Sequence, residues 1–157
     1  VWDCVLEVLS IVGAACILGP ATCAIVMAVT GDVLDAVGLP ALAGSVIGAV
    51  TSVAYAAFIQ MSGSAFTQVG YYFDPTVPTK EMVDVAATAG GQAPLLWVGA
   101  VIVGAAVPLV CCVLARKKGD AAGWKLFGGV AVAAALVGAV CLRVAFYNMG
   151  MSVFMFY

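Results

Sequence analysis

The chain has no histidine among its 157 residues. Imidazole ligates haem in many cytochromes, holds many zinc ions and is the base of the serine triad, so its absence excludes those three chemistries in their His-dependent forms. Charge is nearly as scarce. Only 9% of the residues are charged and the net charge is -2, whereas soluble domains carry about 25% charged residues. A charge this small does not steer a charged partner, and no basic run with interleaved aromatics suits a nucleic acid. The six cysteines, Cys4, Cys16, Cys23, Cys111, Cys112 and Cys141, form no CxxC pair. Without the motif spacing of an iron-sulfur site they read as small apolar packing residues. The opening "VWDCVLEVLS" lacks both an initiator Met and a basic n-region. It therefore reads as an interior cut of a longer chain rather than as a cleaved signal peptide.

What the chain does have is apolar length. Hydrophobic residues make up 65% of it, and the mean hydropathy is +1.18. Each helix crossing a hydrocarbon core of about 30 Å needs roughly 20 apolar residues. The expectation is an all-α membrane protein, a bundle of four transmembrane helices in one domain covering residues 1–157, with the lipid bilayer as solvent. The spans are expected at about 5–29, 41–61, 94–115 and 124–147. Gly19-Pro20 near the middle of the first span should kink it, because proline removes a backbone donor. Pro40 marks the start of the second, whose Gly44 and Gly48 form a GxxxG that lets a neighbouring helix approach closely.

The segments between the spans set orientation. Arg116, Lys117, Lys118 and Lys125 place four of the six basic residues in one short connection, around the loop 116–123. Short loops rich in Lys and Arg stay on the cytoplasmic side. That puts the basic loop inside, and the long loop 62–92 and both ends of the segment outside. Within the long loop, "DPTVPTKE" reads as a turn followed by a short helix capped by Thr79. Trp2, Tyr71, Tyr72, Trp124 and Tyr147 fall near span ends, where amphipathic rings favour the headgroup level.

Against this background Arg143 stands out, because it follows a stretch, 126–142, without any charge. It lies 19 residues beyond Trp124, about 28 Å along a helix, and so near the outer face. The bland reading is an arginine that snorkels to the outer headgroups; the sharper one treats an intramembrane cation as a functional group. Glu7 sits at the same level in the first span and could pair with Arg143, either as a clamp or as part of a polar pocket open to the lipid. Gln60 ends the second span at that depth, and Tyr147 follows Arg143 by four residues on the same helix face. Together Arg143 and Tyr147 could hydrogen-bond a carbonyl-bearing molecule, although an ordinary interfacial tyrosine explains Tyr147 equally well.

The C-terminal pattern "LVGAVCLRVAFYNMGMSVFMFY" resembles the final helix of the dimethyl sulfoxide reductase membrane-anchor subunits. In that family a Gly-rich apolar helix leads to an Arg and then to Phe-Tyr, as Gly138, Arg143, Phe146 and Tyr147 do here, followed by Met149 and Met151. The family often carries an acidic residue one turn before the arginine; this chain has Ala139 there. The order of spans and loops is similar to the second half of the family's fold, so the resemblance implies half of an eight-helix anchor. It further implies an integral subunit of the bacterial inner membrane that tethers an iron-sulfur subunit and a molybdopterin catalytic subunit. Such an anchor binds menaquinol and passes its electrons on, in anaerobic respiration, without a haem or metal of its own. Arg143, Tyr147, Glu7 and Gln60 are the candidate quinol-site residues on that reading; the family's quinol-site histidine has no counterpart here.

Two alternatives stay open from sequence. One is half of a secondary transporter, with proline-interrupted helices at Pro20 and Pro108 flanking a midplane site. The other is a structural membrane module with no ligand.

Overall fold

The computed structural model describes residues 5–31, 35–65 and 85–154. The Thr79 cap, Trp2, Tyr71 and Tyr72 lie outside the described residues. Helix α1 spans Val5–Thr30, α2 Asp35–Ala65 and the short α3 Val85–Gly91. A π-helical stretch, π1, runs from Pro94 to Ala106 and passes into α4, Val107–Lys118; one turn, α5 (Ala121–Gly123), and a second π-helical stretch, π2 (Trp124–Gly128), then lead into α6, Gly129–Phe154. No strand occurs among the described residues. Four stretches are long and apolar enough to cross a membrane: Val8–Thr30, Val37–Met61, Ala89–Lys118 and Ala121–Asn148.

The chain is thus an all-α, four-helix membrane bundle, and the pairing of residues fixes its topology. Position 13 of α1 faces position 51 of α2, and 16 faces 44. Ser45 of α2 reaches Cys112 of α4, while Gln60 reaches Ala89. Gly104 of π1 lies against Gly138 of α6, and Gly128 against Ile25 of α1. The numbers run in opposite directions for α1 with α2 and for α2 with the third span, and Gly99 against Cys141 beside Gly104 against Gly138 shows the same for the third and fourth, so these neighbours are antiparallel and the order is up-down-up-down, as short connections dictate.

Side-chain size is sorted inside out relative to a soluble bundle. The buried face of α1 is Ser10, Gly13, Ile17, Ala21, Ala24 and Ala28, spaced by three and four. The buried face of α6 is Ala131, Ala135, Gly138, Leu142 and Ala145 on the same spacing. The outward faces carry the large aliphatics, among them Val26, Val50, Ile102, Val110 and Val140. In lipid the apolar effect does not drive helices together, so close backbone approach through small residues supplies the association; the bulky side chains face the acyl chains.

Proline and glycine act as a pair at the α1–α2 crossing. Pro20 lacks the amide that would bond the Cys16 carbonyl in α-helical register. α1 nevertheless stays helical through that position. Gly44 of α2 backs onto the same Cys16 carbonyl, so closely that a Cβ at position 44 would collide with its oxygen. A Cα–H donor at a helix contact partly compensates a freed carbonyl, and neighbouring helices are what make proline tolerable in a membrane span. Gly48, the second glycine of the GxxxG, lies against Ile17 and the Gly13 carbonyl. The motif is a packing face.

The third span repeats the arrangement. Pro108 follows Gly104 by four residues, and Gly104 meets Gly138 of α6 backbone to backbone. Here the register itself changes: the Val107 amide bonds the Ile102 carbonyl, five residues back, before α-helical bonding resumes. π-helical turns accommodate such insertions into the ladder. The helix limits also differ from the sequence expectation at two places. α2 starts at Asp35, so Pro40 lies inside the helix and deprives the Ala36 carbonyl of its α-helical donor, a loss that neighbouring helices make tolerable in a membrane span. The 62–92 segment contributes helix at both of its edges, up to Ala65 and from Val85.

At the basic connection, α4 ends on Gly119 in the left-handed conformation, φ 67°, with its amide donating to the Ala115 carbonyl at 3.1 Å. The Asp120 carboxylate accepts the Gly123 amide at 2.8 Å and starts the next helix. An Asp120→Ala variant is expected to lose about 1 kcal/mol of local helix stability. Amide exchange at Gly123 and Trp124, faster in the variant than in the parent, checks it.

Candidate functional site

Two groups of polar side chains bond across helices. The larger group lies at the end remote from the basic connection. There the Gln60 side-chain amide, at the C-terminal part of α2, donates to the Ala89 carbonyl of α3 at 3.0 Å. The Asn148 amide on α6 donates to the Gln92 side-chain oxygen at 3.0 Å. These two bonds tie the second span to the third and the third to the fourth, at the level where a headgroup region would supply competing water. Amides that bond across helices in this way contribute roughly 0.6 to 2 kcal/mol in membranes.

Arg143 stands little more than one helical turn before Asn148 on α6. It is partly buried and has an interaction partner. Tyr147, one turn further along the same face, is the more exposed of the two. It is 58% exposed and continues the outward stripe of Val137, Val140 and Val144, with its ring edge-on to Phe146 at 5.7 Å. Phe146 itself is buried. Arg143 and Tyr147 therefore lie along one face of α6, and a molecule touching both approaches from the lipid side. Glu7 lies on α1 at this same end, since α1 runs from there towards Gly13 and its contact with Thr51; its side chain lies outside the described residues.

Of the four candidates, Gln60 thus has a specific bond, Arg143 is partly buried with a partner and Tyr147 faces outward. Gln92 and Asn148 are site residues that sequence reasoning missed. The usable signal was their type, because an amide inside or at the edge of an apolar span commonly marks an interhelical bond.

The second polar place is in the core nearer the basic end. Ser45 is fully buried; its hydroxyl donates to the Ala41 carbonyl at 2.7 Å and lies within hydrogen-bond reach of Cys112 Sγ at 3.3 Å. Cys111 and Cys112 are buried, and Cys141 packs its side chain against Gly99. These thiols fill space between small residues. Removing the hydroxyl by Ser45→Ala is expected to cost no more than about 1 kcal/mol, because the sulfur is a weak partner and the carbonyl keeps its own helical bond. A thermal-unfolding shift of a few degrees at most in detergent checks this.

Among the described residues no group of three or more Cys, Asp or Glu side chains is placed to hold a metal ion. The middle of the bundle, around Gly44, Gly48, Gly104 and Gly138, is closed by backbone contacts between helices. No protein-family model, curated protein or solved structure matches the chain.

Proposed function

We propose that the chain is a membrane anchor, a non-catalytic helical module whose polar end meets a partner or a quinol while its basic end faces the cytoplasm. The observation that carries this reading is the placement of the amides and the guanidinium. Gln60, Gln92, Asn148 and Arg143 are gathered at one end, while the crossings in the middle of the bundle are glycine contacts with only the neutral hydroxyls of Ser45 and Thr51 beside them. A secondary transporter needs a midplane site with polar lining; glycine pressed on glycine leaves no room for one at those crossings.

The finer form of the proposal rests on the C-terminal motif alone. Gly138, Arg143, Phe146 and Tyr147 suit the anchor subunit of a molybdopterin oxidoreductase, bound to an iron-sulfur subunit and taking electrons from menaquinol at the outer face of a bacterial inner membrane. Arg143 then holds a quinol oxygen or a partner carboxylate, and Tyr147 meets the ring from the lipid side. No proton passes through an acidic group one turn before Arg143, because Ala139 stands there.

The test is a mild-detergent purification of the full-length protein from its native membrane, with mass spectrometry of co-purifying chains and an assay for molybdenum and iron. Recovery of molybdenum-bearing and iron-sulfur subunits supports the finer reading. Recovery with other partners and no molybdenum leaves an anchor and removes the oxidoreductase. A metal-free chain recovered alone overturns both.

A further inference from the structure

Between the N-terminal part of α2 and the C-terminal part of α4 lies an open groove of about 370 Å³, lined by Leu42, Val113, Arg116 and Lys117. It occurs at the basic end, opposite the polar end described above. Its walls are of two kinds. Leu42 and Val113 are partly buried apolar side chains on the membrane side, whereas Arg116 and Lys117 are exposed on the last turn of α4. We propose that this groove is a binding site for an anionic phospholipid of the adjoining leaflet, with an acyl chain along Leu42 and Val113 and the phosphate held by Arg116 and Lys117.

Charge complementarity picks the occupant. Among the described residues, those lining the groove include two cations and no carboxylate. The other cations of this end are not aimed at it in the same way: the Lys118 ammonium lies over the Phe127 ring, 5.3 Å from its centroid, and Lys125 belongs to π2 on the far side of the connection. Asp120, the nearest carboxylate in sequence, is engaged with the Gly123 amide. A guanidinium suits a phosphate because its fork donates two parallel bonds, and basic clefts between helices at the cytoplasmic surface take anionic headgroups. The apolar wall adds what a free anion cannot use.

The test uses the full chain, delipidated in a neutral detergent and titrated with phosphatidylglycerol, phosphatidylcholine or inorganic phosphate. Native mass spectrometry reads retained lipid, and thermal unfolding reads stabilisation. Phosphatidylglycerol is expected to be retained at least about tenfold better than phosphatidylcholine, and about thirty-fold less well by the Arg116→Gln/Lys117→Gln double variant, the combined worth of two cations at an anionic surface. Leu42→Trp, which keeps both charges and fills the groove, should lose the lipid too; Lys118→Gln/Lys125→Gln should keep it. The proposal is overturned if phosphatidylcholine is held equally, if inorganic phosphate stabilises as well as the lipid, if Leu42→Trp or the Arg116/Lys117 variant retains phosphatidylglycerol, or if the Lys118/Lys125 variant loses as much. The last outcome means a diffuse basic field instead of a site.

Discussion

A Gly44→Leu variant is expected to lose the α1–α2 pair and with it the compact bundle. The Cys16 carbonyl already occupies the place where a Cβ would go, so the helices must separate before any larger side chain fits. Separation has two consequences. It forfeits the close packing that holds α1 to α2, and it exposes the carbonyl whose helical donor Pro20 removed to hydrocarbon, where an unsatisfied polar group is costly. Overpacking alone costs about 1–3 kcal/mol. With the carbonyl added, the loss should exceed about 3 kcal/mol, or a fall of about 6–12 °C in the unfolding midpoint for a chain of this size. Gly19→Ala is the matched control. No atom lies within 4 Å of a Cβ at position 19, so that change should be neutral or slightly stabilising. Equal losses at the two positions would falsify the assignment of Gly44 to a close crossing and leave only a general intolerance of α1 and α2 to side chains.

The contrast between Gly19 and Gly44 also shows what a single sequence gives up and what it hides. Both are glycines in apolar runs, and the GxxxG of Gly44 and Gly48 marks a packing face by its spacing. The spans were legible for a similarly direct reason: apolar length is a property of local sequence, and the Val37–Met61 and Ala121–Asn148 helices include their expected ranges. Which carbonyl Gly44 meets depends on the register between two helices, and register is not written in either helix alone. The same holds for Gln92 and Asn148, whose bond joins positions 56 residues apart. The π-helical turns of the third span were invisible for another reason. Pro108 announces a lost donor, but whether the helix kinks or widens depends on its packing, and here the π-helical register coincides with the backbone contact of Gly104 with Gly138. Arg143 was legible as an anomaly, since an isolated cation after a long uncharged stretch needs no structure to be noticed; how far each of Arg143 and Tyr147 is exposed required the bundle.

Arg143 carries the second large effect. On the anchor reading, Arg143→Leu leaves the assembled complex intact and lowers menaquinol oxidation by about tenfold to a hundredfold, the worth of one charge-assisted hydrogen bond of about 1.5–3 kcal/mol. Arg143→Lys keeps the charge but not the planar fork, so it should recover part of the rate. Gln60 to Ala89 and Asn148 to Gln92 also hold the second, third and fourth spans at that end, so assembly is expected to survive the loss of the guanidinium's own contact, and assembly and rate are read separately. Failure of Arg143→Leu to assemble, with Arg143→Lys restoring assembly but not altering the rate per complex, identifies the residue as a structural clamp. An unchanged rate in a fully assembled Arg143→Leu complex identifies it as a snorkelling residue. Tyr147→Phe sharpens the outcome: if the phenol meets the quinol from the lipid side, the double variant with Arg143→Lys should lose less than the product of the two single losses, because groups that hold one molecule together do not act independently.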